Sequence, residues 1–547
     1  VNVQRGDLII AAALVLLQLA LPYHGIQWGD GLEFVAVSTH LGVAHPPGYP
    51  LFTLLAKGAL LFPLGEPYLR VLMLVRLAAG IAAAGVFFAA RALALAHEQP
   101  LTTARLIAAL PAAFIMASTS WTAGLHQIEI YTLGAALTSW VMVALLNGKL
   151  LAAGILLGLA SANHLPSLSL LPWFLVAVSQ RVGTTPGKAL GAIFSAVLIP
   201  IFLYGSLILR TLYPAPASIL WGSTSNLPAL FTHLRGGEYA THQLLSLAPG
   251  VPMTVDAWGT ILQLRSQELL FALGASLGEG GGVPLALGML LLVAAVTGLV
   301  IYQKRSPLDA MALGLAMLAQ FFFVTIYMIP DIADYFLGII VLLLPLIAVP
   351  LALVGERARS VLSTLAVLVL LGLAGRFFFT ALPAAPHRQI PAAWQQRILD
   401  KLPSGAAVLT AGDADLYTLW YAQFANGQRH DLAVAGANFV RFPWFVHSLP
   451  PDDPARESLV FEPGPPPLGA RPYALQLRSH FIEPLLRRGE LFTTINDPNV
   501  LGVLEAHYRF TPVADLLLFE EQGLIQRAGL INVPPPLLYR IERPSPH

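Results

Sequence analysis

From residue 7 to about residue 380 apolar residues come in long runs broken by short polar connections, and the tail beyond alternates in short blocks rich in proline. A helix needs about 20 apolar residues to cross a bilayer, where backbone polar groups must be satisfied without water. The runs predict about eleven spans, near residues 7–24, 68–96, 105–121, 130–147, 150–163, 165–179, 189–210, 283–302, 308–328, 335–354 and 361–380. Asn163-His164-Leu165-Pro166 interrupts the pair at 150–179. No small-residue cleavage site follows Leu8–Leu21 before Asp30, so this stretch is expected to remain as the first helix. In the tail, Pro391–Leu402 and Leu416–Ala425 have helical spacing, Ala406–Thr410 and Leu432–Ala435 read as strands, and Gly464-Pro465-Pro466-Pro467 and Pro534-Pro535-Pro536 read as loops. The expected fold class is a polytopic α-helical membrane domain over 1–380 followed by a soluble α/β domain over 381–547.

Basic residues set the expected orientation. With the N-terminus inside, the cytoplasmic connections hold Arg5, Arg91, Arg105, Lys149, Arg181, Lys188, Lys304, Arg305, Arg357 and Arg359, and the short outer connections only Lys57 and Arg70. Loops 25–67 and 211–282 and the tail then lie on the extracytoplasmic side of the cell membrane. Composition agrees: only 11% of the 547 residues are charged, against about 25% in soluble domains. A net charge of +1 points to no nucleic-acid partner, and the absence of cysteine excludes thiol chemistry and Cys-ligated metals.

Unusual polar residues collect at the outer connections: Asp30, Glu33, His40 and His45 after the first span, His126 and Glu129 after the third, Asn163 and His164 after the fifth, Asp331 and Asp334 after the ninth. Ionisable groups near membrane depth are costly, and several on one side suggest a site. Asp30 and Glu33, three apart, share a face if helical, so one could serve as a base and the other as its partner. A solvated interfacial helix is the alternative. His45 precedes Pro46-Pro47, a stiff extended corner, and Pro50 suits the first turn of a helix to about Leu61. The histidines lack HxxxH spacing, so no metal or other cofactor is assigned. Arg210, Arg235 and Arg376 lie on the outer side, where guanidinium suits a phosphate, or snorkels to the interface. No phosphate-binding glycine loop, GxSxG or HExxH is present.

The run Asp30-Gly-Leu-Glu33-Phe…Leu41-Gly-Val-Ala-His45-Pro-Pro-Gly-Tyr49-Pro50-Leu resembles the signature of a multi-pass family once labelled a domain of unknown function, now placed among the GT-C glycosyltransferases and including vertebrate protein O-mannosyltransferases. Collinear blocks follow: Trp121…Gln127-Ile-Glu129-Ile-Tyr131, Gly158…Asn163-His164, Trp221-Gly222 with Tyr239, Tyr327…Asp331…Tyr335, and Gly412-Asp413…Trp420-Tyr421…Asp431. The resemblance implies a GT-C fold and inverting transfer of mannose or another hexose from a polyprenyl-phosphate donor to a protein or glycan hydroxyl. It implies Asp30 as general base with Glu33 nearby. Arg210 and Arg235 are the candidates for the leaving phosphate, and His45, Tyr49, His126, Glu129, Asn163, His164, Tyr239 and Asp331 for substrate binding. The family's second histidine after Asn-His is Leu165 here, so His164 need not keep the same role. A transporter or flippase would also explain many spans but not the one-sided cluster, and paired carboxylates would also suit a hydrolase of lipid-linked sugars.

Overall fold

The computed structural model describes residues 3–222, 224–236, 255–275, 282–327, 332–382, 385–440, 442, 444–449, 455–456, 459, 469–528, 530 and 533–544. The chain forms two compact units: Val1–Pro22 with Met73–Gly205 and Gly237–Pro383, and Tyr23–Leu72 with Ser206–Gly236 and Ala384–His547.

The first unit is helical. Six helices among the described residues are long and apolar enough to cross a membrane: Pro67–Ala96, Pro186–Leu212, Gly282–Arg305, Pro307–Ile326, Ile332–Ala352 and Ser363–Ala381. The other five expected spans are also helical but short, at Arg5–Leu19, Leu101–Ala117, Tyr131–Leu146, Leu150–Asn163 and Leu165–Ser179. At 1.5 Å per residue each falls below the roughly 30 Å of the hydrocarbon core, so eleven full-length spans is more than helix length supports. His164 is extended, with φ −154° and ψ 116°, and ends one of these helices before Leu165-Pro166 opens the next. A further helix, Val255–Gly274, lies where the reading of the sequence expected only loop.

Two buried charged groups of this unit, Asp7 and Arg76, find partners inside it. Asp7 has no exposed surface and pairs with Arg91 at 2.9 Å and Arg105 at 2.8 Å, so two of the expected cytoplasmic cations are spent on one acid. Arg76, 1% exposed, donates to the carbonyls of Leu21, Pro22 and Leu125, replacing the water a guanidinium would otherwise need.

The second unit holds a five-stranded sheet, β1 (Ala407–Thr410), β2 (Ala433–Gly436), β3 (Leu491–Thr493), β4 (Arg509–Asp515) and β5 (Leu537–Glu542), in the order β2-β1-β3-β5-β4. β1 pairs in parallel with β2 and β3, whereas β5 runs antiparallel to β3 and β4. β1, β2 and β3 are buried along their whole length, as expected of strands covered on both faces. Both outer segments join this unit. Val43 pairs with Leu220 in an isolated parallel bridge, through Val43 N–H to Ile219 O at 2.9 Å and Trp221 N–H to Val43 O at 3.0 Å. Only glycine fits at 42, because a Cβ there would lie 2.0 Å from the Ile219 carbonyl oxygen. Glu66 accepts hydrogen bonds from Tyr23 and Tyr421, and Gln27 donates to the Arg388 carbonyl, tying the first loop to the tail.

Candidate active site

The Asp30–Thr39 helix opens the site. Gly29, at φ 117°, takes a conformation that other residues resist and places Asp30 and Glu33 in the first turn, where free N–H groups favour acids. The helix buries Gly31 through Ser38. The two carboxylates differ sharply: Glu33 has no exposed side-chain surface, whereas the Asp30 side chain is 41% exposed.

His45 stands between them. Its backbone N–H donates to Glu33 Oε1 at 2.8 Å, its Nδ1 lies 2.5 Å from Glu33 Oε2, and its Nε2 lies 3.5 Å from Asp30 Oδ2. Burial opposes charging the imidazole, but the charges of Glu33 and then Asp30 outweigh it and raise His45 to about 9. The cation is held in a ring of aromatics: Phe34, Tyr49 and Trp221 have centroids 5.3, 5.1 and 6.1 Å from the imidazole. The chain then passes a cis Pro46–Pro47 bond and Gly48 at φ 91° into the helix Pro50–Leu60. A Cβ at Gly48 would press on Leu207 and His233, at 2.7 and 3.1 Å.

That contact brings in the segment 206–236. Arg210 Nη1 donates to Thr53 Oγ1 at 2.9 Å and to Gly42 O at 3.2 Å, while its Nη2 is buried with no hydrogen-bond partner. The His233 ring is 3% exposed and lies against the Ala44 backbone. Burial first, and the charge of His45 next, press His233 down to about 3, so it is a neutral imidazole. Arg235 follows on the exposed turn after the Leu227–Leu234 helix.

The tail supplies another carboxyl. Asp413 opens the Asp413–Trp420 helix, which packs on the Asp30–Thr39 helix, and Asn438 Nδ2 donates to Asp413 Oδ1 at 2.5 Å. Trp221 joins the two sides, with Tyr417 at 6.3 Å and Phe439 at 4.7 Å. Asp413, Asn438, His233 and Thr53 were not named as site residues from the sequence. Asp413 carried a signal, the Gly412-Asp413 block of the family resemblance; His233 is a single histidine in a loop without spacing to mark it.

The remaining expected residues belong to the first unit. Asn163, with no exposed surface, donates through Nδ2 to Ile130 O at 3.1 Å, and its Oδ1 has no partner. His164 packs against Tyr131 at 5.6 Å and Tyr335 at 5.3 Å, in a pocket also lined by Gln320, Phe323 and Asp334. His126 is buried and Glu129 half-buried in the turn before Tyr131. Tyr239 and Asp331 lie outside the described residues. Among the described residues no group of three or more His, Asp or Glu is arranged to hold a metal ion.

Comparison with known proteins gives matches at three levels. Residues 30–183 match the family model described as the protein O-mannosyl-transferase TMEM260 N-terminal domain, and residues 392–458 match TMEM260-associated domain 2. The mouse protein O-mannosyl-transferase TMEM260 is 24% identical over 476 residues, covering 81% of this chain. This chain spans 64% of that relative's length. Two crystal structures of ArnT from Cupriavidus metallidurans share the fold over 98% of this chain and 97% of theirs. The one bound to undecaprenyl phosphate has a TM-score of 0.54 at 12% identity, and the apo form 0.55 at 13%. A first-loop acid signature within a matched family domain, a second matched domain in the tail and an ArnT-like fold from end to end make the chain similar to the protein O-mannosyl-transferase TMEM260 and give it the multi-helical membrane-protein fold of ArnT.

Proposed function

We propose that this protein is an inverting glycosyltransferase that moves a hexose, mannose in the first instance, from a polyprenyl-phosphate carrier to a protein or glycan hydroxyl on the extracytoplasmic side of the cell membrane. The observation that carries the reading is the division of labour around His45. Glu33 spends both oxygens on His45 and is closed to solvent, which makes it a positioning residue, whereas Asp30 keeps an open face. An open carboxylate held ionised and in place by the His45 contact is positioned to serve as a general base. Asp30 takes the acceptor O–H proton as that oxygen bonds to the anomeric carbon. The bond from that carbon to the phosphate oxygen breaks, and the polyprenyl phosphate leaves with the electron pair. Arg210 Nη2, a buried donor without a hydrogen-bond partner, is the group best suited to the phosphate oxygens, with neutral His233 as a second candidate. Arg235, on an exposed turn, suits capture of the incoming anion. Support comes from the O-mannosyl-transferase relative and from the ArnT structure that holds undecaprenyl phosphate.

The test is a transfer assay on purified protein in lipid nanodiscs, with undecaprenyl- and dolichyl-phosphate mannose as donors and Ser/Thr peptides or glycans as acceptors. Asp30→Asn should lower transfer by about 10²–10⁴-fold. Unchanged transfer by that variant overturns the mechanism, and uptake of the lipid-linked sugar into sealed vesicles without product would favour a transporter.

A further inference from the structure

The roles of base, positioning residue and phosphate donors fall to Asp30, Glu33, Arg210 and His233, and Asp413 has none of them. In the fold it shares the first turn of its helix with Asp415, and the capping there falls to Asp415. The N–H groups of Ala411 and Gly412, at the start of the same helix, are satisfied by Asp415, whose carboxylate also accepts from Thr494. Asp415 is the structural acid of that turn, buried and fully engaged. Asp413 differs: it retains open surface while protein crowds it from several sides, which is the condition of a group lining a cleft. The charges that act on it are those of Asp30 and Glu33 from the packed helix and His45 from the following loop.

We infer that Asp413 is a positioning residue of the reaction, a carboxyl brought by the tail to face Asp30 and raise the proton affinity of that base; the inference rests on the assignment of Asp30 as base. An ordinary carboxylate is a weak acceptor for a hydroxyl proton, and a base works best when its proton affinity approaches the working pH. A second carboxylate across a cleft supplies that increase by like-charge repulsion, at no cost in geometry. Asn438 sets the orientation by donating to Asp413 Oδ1.

The sign of the pH dependence follows. Burial first, then the charge of Asp30, raise Asp413 to about 7, while the Asn438 hydrogen bond and the charge of His45 act in the opposite sense. Below that pH Asp413 carries a proton and exerts no charge on Asp30. As the pH rises through about 7 it ionises, Asp30 becomes the stronger base and transfer accelerates.

Transfer from undecaprenyl-phosphate mannose is measured from about pH 5 to about pH 9 for the wild type, Asp413→Asn, Asp413→Glu and Asp30→Asn. The wild type should show a rise in kcat centred near neutrality. Asp413→Asn, isosteric and still able to meet Asn438, should lose that rise and fall about tenfold in kcat at the alkaline end, with KM within about twofold. Asp413→Glu should restore part of the rise. Superimposable profiles for the wild type and Asp413→Asn overturn the inference. Full activity of Asp30→Asn overturns instead the assignment of the base. Infrared titration of the carboxyl band needs no turnover. A carboxyl protonating near neutrality should vanish in Asp413→Asn and move to lower pH in Asp30→Asn; a band unmoved by both substitutions overturns the coupling.

Discussion

Asp30, Glu33 and His45 share one loop and one helix turn, yet each has a different chemical fate. Three-residue spacing put the two acids on one face, and helix geometry does so. Their different exposure was not legible, because it depends on His45 folding back twelve residues later to occupy both Glu33 oxygens. His45 had been read as a pocket residue held by a proline corner; the structure adds that it is a buried cation tied to both acids. Arg210 gives a prediction at this scale. Arg210→Lys keeps a charge but loses the fork that lets one nitrogen grip Thr53 and Gly42 while the other faces inward. Its kcat/KM for the lipid-phosphate donor should fall about 10–100-fold, most of it in KM. Michaelis constants that match the wild type would reduce Arg210 to a strut.

At the level of elements, the long apolar runs and the strands of the tail were readable, since each depends on local periodicity. Ala406–Thr410 and Leu432–Ala435 were expected as strands and appear as β1 and β2 within a residue of those bounds. Pro50 starts a helix, as its fixed φ and missing N–H favour. Val255–Gly274 was missed because polar residues such as Gln263, Arg265, Gln267 and Glu268 break its apolar pattern, although Arg265 is buried and pairs with Glu268 at 2.6 Å. The bridge between Val43 and Leu220 was invisible, since one residue pair has no periodicity. It is open to test through Gly42→Ala. The added methyl has no space beside the Ile219 carbonyl, so the bridge must part. A loss of about 1–3 kcal/mol is expected, read as a lower midpoint in thermal unfolding, with reduced transfer because Arg210 also holds the Gly42 carbonyl. An unchanged midpoint would mean that the bridge contributes nothing.

For the whole molecule, the orientation argument makes a direct prediction. The chain has no cysteine, so a single introduced one reports its own side of the membrane. Lys401→Cys, exposed in the tail, should react with an impermeant maleimide on intact cells, and Lys304→Cys, exposed between two long helices, only after permeabilisation. The reverse pattern would invert the topology. Sequence alone determined which segments are apolar, where basic residues gather and which loop carries the acids, because these are properties of neighbouring residues and of the solvent each segment tolerates. It did not determine that residues 23–72 and 206–236 form one compact unit with the tail. Nor could it select His233, packed beside Gly48, or place Asp413, marked only by the family resemblance, on a helix packed against the Asp30 helix. Such pairings are decided by which surfaces pack together, and packing depends on shape and burial in three dimensions, which no local pattern of hydrophobic and polar residues records.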